Sequence, residues 1–135
     1  MSRAPMTATL TWQDELRFDA ASGDARTVLD SKGQAGPSPM QSLAFALAGC
    51  MAIDVVDIVR KGRHLLTGLT ATLSARRAEE PPRRFEQITL HYVVTGDVPA
   101  QAVERAIQLS RDKYCSVWHS MRQDIEFVTT FEVHP

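Results

Sequence analysis

The eleven residues from Leu43 to Ile53, LAFALAGCMAI, constrain this chain more than any other stretch. They are apolar throughout, and a helix start signal precedes them. Ser38 offers a hydroxyl N-cap, Pro39 fits the first helical position, and Gln41 at the third can close a capping box. The predicted helix runs from Ser38 to Arg60 or Lys61 and stops at Gly62. A helix that is apolar on every side demands burial all round, which is hard for a small domain to supply. Ala44, Ala46, Ala48, Gly49 and Ala52 would let a second helix backbone approach closely. The pattern therefore predicts a central helix packed against its own copy in a homodimer, with enclosure inside one subunit as the alternative. Eleven residues fall short of the roughly 18 to 20 that a membrane span needs, so no membrane partner is expected.

The flanking segments read as strands and shorter helices. Ala8, Leu10 and Trp12 alternate with threonines, Leu16, Phe18 and Ala20 repeat the pattern, and Thr27 to Leu29 supplies a third short strand. SKGQAGPSP then forms a loop. This N-terminal third is predicted to be a β-meander. After the central helix, Leu69, Ala71, Leu73 and Ala75 alternate with polar residues, and a turn at Pro81 and Pro82 leads to Ile88, Leu90, Tyr92 and Val94, which makes a hairpin. Asp97 to Pro99 open a second helix that carries Val103, Ala106, Ile107 and Ser110 as its core stripe and reaches Lys113. A shorter helical turn spans Cys115 to Met121. A closing strand alternates Ile125, Phe127, Thr129, Phe131 and Val133. The order βββ, α, ββ, αα, β is α+β in class, and 135 residues are expected to form one domain over 1–135.

Composition removes several function classes. Fifteen basic and sixteen acidic side chains nearly cancel, leaving a net charge of −1, so no nucleic acid partner is expected. The N-terminus lacks the order of a signal peptide, and two cysteines do not make a secreted disulfide scaffold, so the expected location is cytoplasmic. No phosphate loop or metalloprotease motif is present, and no cofactor is predicted.

The two cysteines are the main candidates for chemistry. Cys50 within the apolar helix reads either as a small core hydrophobe or as a nucleophile. An unperturbed thiol, with a pKa of about 8.5, is only a few per cent thiolate at neutral pH, apolar burial lowers that fraction, and Asp54 one turn onward would oppose ionisation if it faced the sulfur. Cys115, in YCSVWHS, sits where a short helix begins, a place that favours a thiolate, with core packing beside Val117 and Trp118 as the other reading. His119 four residues later could share its face as a metal ligand or a base. No second close pair completes a tetrahedral set, so no metal is predicted. His64, His91 and His134 read as surface or satisfied histidines.

Taken together, SPMQSLAFALAGCMAIDVVDIVRKGR and LSRDKYCSVWHSM, the two cysteines 65 positions apart, resemble the OsmC/Ohr family of osmotically inducible and organic hydroperoxide resistance proteins, in its YhfA-like branch. The resemblance extends over nearly the whole chain. It implies an intertwined homodimer with buried central helices and active sites at the subunit interface. It further implies a peroxidase in which Cys50 attacks an organic hydroperoxide and becomes a sulfenic acid, Cys115 condenses with it to a disulfide, and a lipoyl-type dithiol reductant restores both thiols. Family members support the thiolate with an N-terminal arginine, for which Arg17 and Arg26 are candidates, and with a glutamate after the helix-opening proline. Met40 and Gln41 stand where that carboxylate is expected, and Gln41 can hydrogen-bond but cannot form an ion pair. That departure opens the alternative of a dimer with little peroxidase activity that binds a small hydrophobic ligand at the subunit interface.

Overall fold

The computed structural model describes residues 3–135, which fall into two compact units, Met1–Phe45 and Ala46–Pro135. In the first unit, β1 (Thr9–Asp14), β2 (Arg17–Ser22) and β3 (Ala25–Asp30) form the predicted antiparallel meander, with Trp12 opposite Phe18 and Arg17 opposite Asp30. Two-residue turns join them, and Gly23 takes the left-handed backbone that such a turn requires. β1 is exposed on both faces, Leu10 and Trp12 included. The loop after β3 is organised by the buried Asp30 carboxylate, which accepts the backbone N–H groups of Lys32 at 3.0 Å, Gln34 at 3.3 Å and Ala35 at 2.9 Å.

The central helix, α1 (Pro39–Lys61), starts as its sequence dictates. Ser38 Oγ accepts the Gln41 N–H at 3.1 Å while Gln41 Oε1 accepts the Ser38 N–H at 2.9 Å, closing the capping box. Gly33, in the left-handed region at φ 67°, lies against this box. A Cβ there would come within 2.8 Å of Gln41 Oε1, so the glycine is needed for the loop to pass the cap.

In the second unit, β4 (Leu65–Arg77) and β5 (Phe85–Asp97) make the predicted hairpin, longer at both ends than its alternating core. α2 (Ala100–Leu109), a helical turn over Ser110–Tyr114 and α3 (Ser116–His119) then carry the chain back. β6 (Glu126–His134) therefore returns parallel to β5, with Ile88 opposite Phe127 and Val94 opposite Val133. A parallel neighbour needs a crossover of this kind, whereas β4 needs only a turn. β5 is central and buries Ile88, Leu90, Tyr92 and Val94 on one face. The α1 row Leu47, Met51, Val55 and Val59, spaced by four, is buried in the same unit, as is the α2 stripe Val103, Ala106, Ile107 and Ser110.

Burial of α1 on every side is not what one chain provides. Only 22% of its most apolar stretch is buried, and Phe45 and Ile53 are 65% and 70% exposed. The physical reason is geometric: a three-stranded sheet covers one row of a helix, and the other rows stay open. The apolar run also understates the helix, whose 23 residues are long and apolar enough by length and composition to cross a bilayer. Its two mid-helix carboxylates, Asp54 and Asp57, are already engaged, by Ser110 and Lys61 respectively.

Met51 is fully buried in the α1 row. Met51→Ala is expected to lower stability by about 2–5 kcal/mol, read as a shift of the urea unfolding midpoint. A change below about 1 kcal/mol would show that this row does not form the core.

Candidate functional site

The end of α2 decides where the second cysteine goes. Instead of stopping at Leu109, the helix widens into a π-helical turn over Ser110–Tyr114, closed by the Cys115 N–H donating to the Ser110 carbonyl at 2.8 Å. Such wide turns insert one residue into the helical repeat and re-aim the residues beyond it. Ser110 stays fully buried, and its hydroxyl donates to Asp54 Oδ2 on α1 at 2.7 Å. Cys115 leaves the helix with an extended backbone and becomes the N-cap of α3, its Sγ accepting the Trp118 N–H at 3.3 Å. Trp118 is in turn packed on Phe127 of β6, ring centroids 4.6 Å apart, and the Arg111 guanidinium lies 4.7 Å from the centroid of the Phe127 ring.

This arrangement brings the two cysteines together. Both are free thiols, Cys50 part-exposed and Cys115 fully buried. Burial pushes the Cys115 thiol up to about 11; the Trp118 N–H pulls it back in part, and hydrogen bonding and charge repulsion from the neighbouring Cys50 raise it further. The expected thiolate-favouring helix start at Cys115 is therefore overturned. A four-residue helix offers a donor or two, and loss of hydration outweighs them.

Tyr92, on the buried face of β5, completes the cluster. Its hydroxyl is buried and has no hydrogen-bond partner among the described residues. Burial, then the negative charges available to Cys115 and Asp54, push its proton affinity above the ordinary phenol range. Sequence reasoning assigned Tyr92 and Ser110 to the core and left Asp54 as a possible hindrance. The available signal was a hydroxyl on an otherwise apolar stripe, Val103, Ala106, Ile107, Ser110, and a carboxylate inside an apolar helix.

The other predicted residues belong to the first unit. Arg17 lies with Nε 3.6 Å from Asp30 and Nη1 3.5 Å from Asp14. Asp30 is held below the usual carboxylate range by the Ala35 and Lys32 N–H groups first, with Gln34 and the Arg17 charge adding less. Arg26 Nη1 donates to the Gly23 carbonyl at 2.8 Å and the Ala25 carbonyl at 3.2 Å, tying down its own turn. Gln41 spends its side-chain oxygen on the helix cap. His119 does not join Cys115 as a ligand, since its Nε2 pairs with the Arg111 carbonyl at 2.9 Å. Among the described residues no group of three or more histidine, cysteine or carboxylate side chains is placed to hold a metal. His91 and His134 are satisfied by Glu132, as expected of surface histidines.

A fold of two three-stranded sheets with a long apolar helix, carrying one cysteine on that helix and a second that meets it, defines a thiol protein of α+β class. The family model for OsmC-like protein matches residues 31–130, and the chain belongs to this family. It is 40% identical over 131 residues to Protein YhfA of Escherichia coli strain K12, covering 95% of this chain and 98% of that protein. Among solved structures, a hypothetical protein from Aquifex aeolicus VF5 superposes with a TM-score of 0.89 at 27% identity, covering 97% of each chain. An organic hydroperoxide resistance protein OsmC from Legionella pneumophila, described as a predicted redox protein and regulator of sulfide bond formation, shares the fold with a TM-score of 0.72 at 16% identity, covering 98% of this chain and 100% of its own.

Because folding raises the proton affinity of Cys115 from 9.0 to about 11, the native state holds that proton more tightly than the unfolded chain across this interval. Stability is thus retained below pH 9 and falls as pH rises toward about 11. Urea midpoints of the reduced protein are expected to fall more steeply there than those of Cys115→Ala. Parallel profiles would contradict the raised value.

Proposed function

We propose that this protein is a thiol peroxidase that reduces organic hydroperoxides, with Cys50 as the peroxide-attacking thiol and Cys115 as the resolving one. The observation that carries the reading is that a part-exposed thiol, Cys50, neighbours a fully buried one, Cys115, closely enough to raise its proton affinity. The exposed partner is the one a peroxide can reach. The buried one keeps its proton in the resting enzyme and so does not compete for oxidant. Family membership supports the reading, as does the hydroperoxide resistance named for several structural neighbours.

The chemistry balances in two steps. The Cys50 thiolate attacks the terminal oxygen of the hydroperoxide, the O–O bond breaks, and the alkoxide leaves and takes a proton to become the alcohol. Cys115 then attacks the Cys50 sulfenic acid, an S–S bond forms, and the hydroxyl departs with the Cys115 proton as water. A dithiol, lipoyl-linked or similar, returns two electrons to restore both thiols. Of the two arginine candidates to support the thiolate, Arg17 is favoured because it is paired with a buried carboxylate, Asp30, whereas Arg26 ties down its own turn. Asp30, close to Arg17, supplies that arginine with the carboxylate missing at Met40 and Gln41. Gln41 then acts as a helix cap and not as a catalytic group.

The uncovered rows of α1, with Phe45 and Ile53 on them, favour a homodimer in which a second copy covers this helix. We read the chain as a single domain of such a dimer, acting in the cytoplasm. The alternative of a ligand-binding dimer draws on an open groove of about 900 Å³ beside α1 and β4, whose lining includes apolar Ile53, Val56 and Leu69 and polar Asp57, Arg60 and His64.

Reduced protein treated with one equivalent of an organic hydroperoxide is expected to lose both thiols and to yield a peptide pair joined through Cys50 and Cys115 in mass spectrometry. Cys50→Ser is expected to abolish peroxide consumption. Unchanged thiols in the wild type would overturn the peroxidase reading and leave the ligand-binding one.

A further inference from the structure

A disulfide between two cysteines 65 positions apart needs something to hold them in register, because its geometry tolerates little error, with Cα separations of about 4.4 to 6.8 Å. One turn from each cysteine lies a polar residue bonded to the other segment. Asp54 follows Cys50 by four residues on α1, so the two side chains share a face of that helix. Ser110 precedes Cys115 by five, and its carbonyl accepts the Cys115 N–H at 2.8 Å across the π-helical turn. Between them, the Ser110 hydroxyl donates to Asp54 Oδ2 at 2.7 Å. That hydrogen bond links the same two segments as the thiol pair, a single helical turn away on either side.

Packing does not call for this link. Ser110 is fully buried in the stripe that carries Val103, Ala106 and Ile107, and Asp54 interrupts an apolar helix. A buried polar pair adds little net stability compared with apolar side chains of similar size, and its best-attested use is to fix the register of one element against another. Apolar surfaces slide over a range of offsets, whereas a hydroxyl and a carboxylate bond in one geometry. The widened turn fits the same role. It adds a residue to the helical repeat between Ser110 and Cys115, so that with Ser110 anchored, the turn sets where the Cys115 sulfur emerges.

We propose that Asp54 and Ser110 are a positioning pair that sets the register between α1 and the turn carrying Cys115, raising the effective concentration of one thiol at the other. In the resolving step, the Cys115 sulfur bonds to the Cys50 sulfur, the S–O bond of the sulfenic acid breaks, and the hydroxyl leaves as water with the Cys115 proton. Asp54 and Ser110 exchange no atoms in that step. They act through the placement of the two sulfurs before it. By linkage, the hydrogen bond favours the disulfide as much as the disulfide favours the hydrogen bond. This role rests on the pairing of Cys50 with Cys115 proposed above.

The test is the equilibrium of the protein with a glutathione redox buffer, in which two protein thiols and one oxidised glutathione give the disulfide and two reduced glutathiones. No peroxide is needed. Ser110→Ala is expected to lower the equilibrium constant for the Cys50–Cys115 disulfide about 10-fold, equivalent to about 30 mV for this two-electron couple. Asp54→Leu is expected to lower it as far, and the double variant no further, because the two residues make one interaction. Asp54→Asn keeps an oxygen acceptor and is expected to stay within about 3-fold of the wild type. Val59→Ala loosens the buried row of the same helix and is expected to leave the constant unchanged. A wild-type constant in Ser110→Ala overturns the role, as does an equal fall in Val59→Ala or additive losses in the double variant. A fall in Asp54→Asn as deep as in Asp54→Leu assigns the effect to charge and overturns it as well. If the wild type closes the disulfide in glutathione yet leaves an organic hydroperoxide unreacted, the peroxidase reading falls and the variants alone decide the positioning role. A wild type that forms no disulfide with either oxidant overturns both.

Discussion

The hydrogen bond from the Ser110 hydroxyl to Asp54 joins two helices across 56 positions of sequence, and the thiol pair depends on it. It ties the widened end of α2 to the middle of α1. From that anchor the Ser110 carbonyl closes the π-helical turn on the Cys115 N–H, and Cys115 is turned out of the helix toward Cys50. The same bond makes a carboxylate tolerable in an apolar helix. A buried polar pair of this kind contributes little net stability compared with apolar packing. Its effect is positional: it holds Ser110, whose carbonyl closes the wide turn, against the middle of α1.

Packing and reactivity pull in opposite directions at this cluster. Burial of Cys115 holds its proton on, and burial of Tyr92 does the same. Groups so held are poor at initiating chemistry with a diffusing oxidant. In the proposed peroxidase cycle, a Cys115 thiol so held suits the second step, in which the electrophile is already on Cys50 and the proton released by Cys115 is needed to make water. The fold thus separates an accessible thiol from a guarded one by a difference of exposure, on a scaffold where Trp118, Phe127 and Arg111 fix the guarded side.

Much of this was legible in the sequence wherever local rules act alone. The capping box at Ser38 and Gln41, the meander, the hairpin and the core stripe of α2 all follow from periodicity and turn chemistry, and all are present. The pairing of Cys50 with Cys115 came from resemblance, since a separation of 65 positions carries no distance information. Three features escaped sequence reasoning for physical reasons. The π-helical turn differs from an α-helix by a single residue and has no compositional mark. The parallel placement of β6 depends on the crossover that precedes it and not on its own alternation. The high proton affinity of Cys115 reflects tertiary burial, which outweighed the helix start that its position suggested. The open rows of α1 are the reverse case: the sequence asked for more cover than one chain supplies.

The central claim is directional: Cys50 takes the oxygen and Cys115 resolves it. Dimedone trapping in the two single-cysteine variants tests it most directly. After an organic hydroperoxide pulse, Cys115→Ser is expected to carry one sulfenic acid adduct on Cys50, and Cys50→Ser to carry none on Cys115. An adduct on Cys115 in Cys50→Ser, with Cys50 unmodified in Cys115→Ser, would contradict the account.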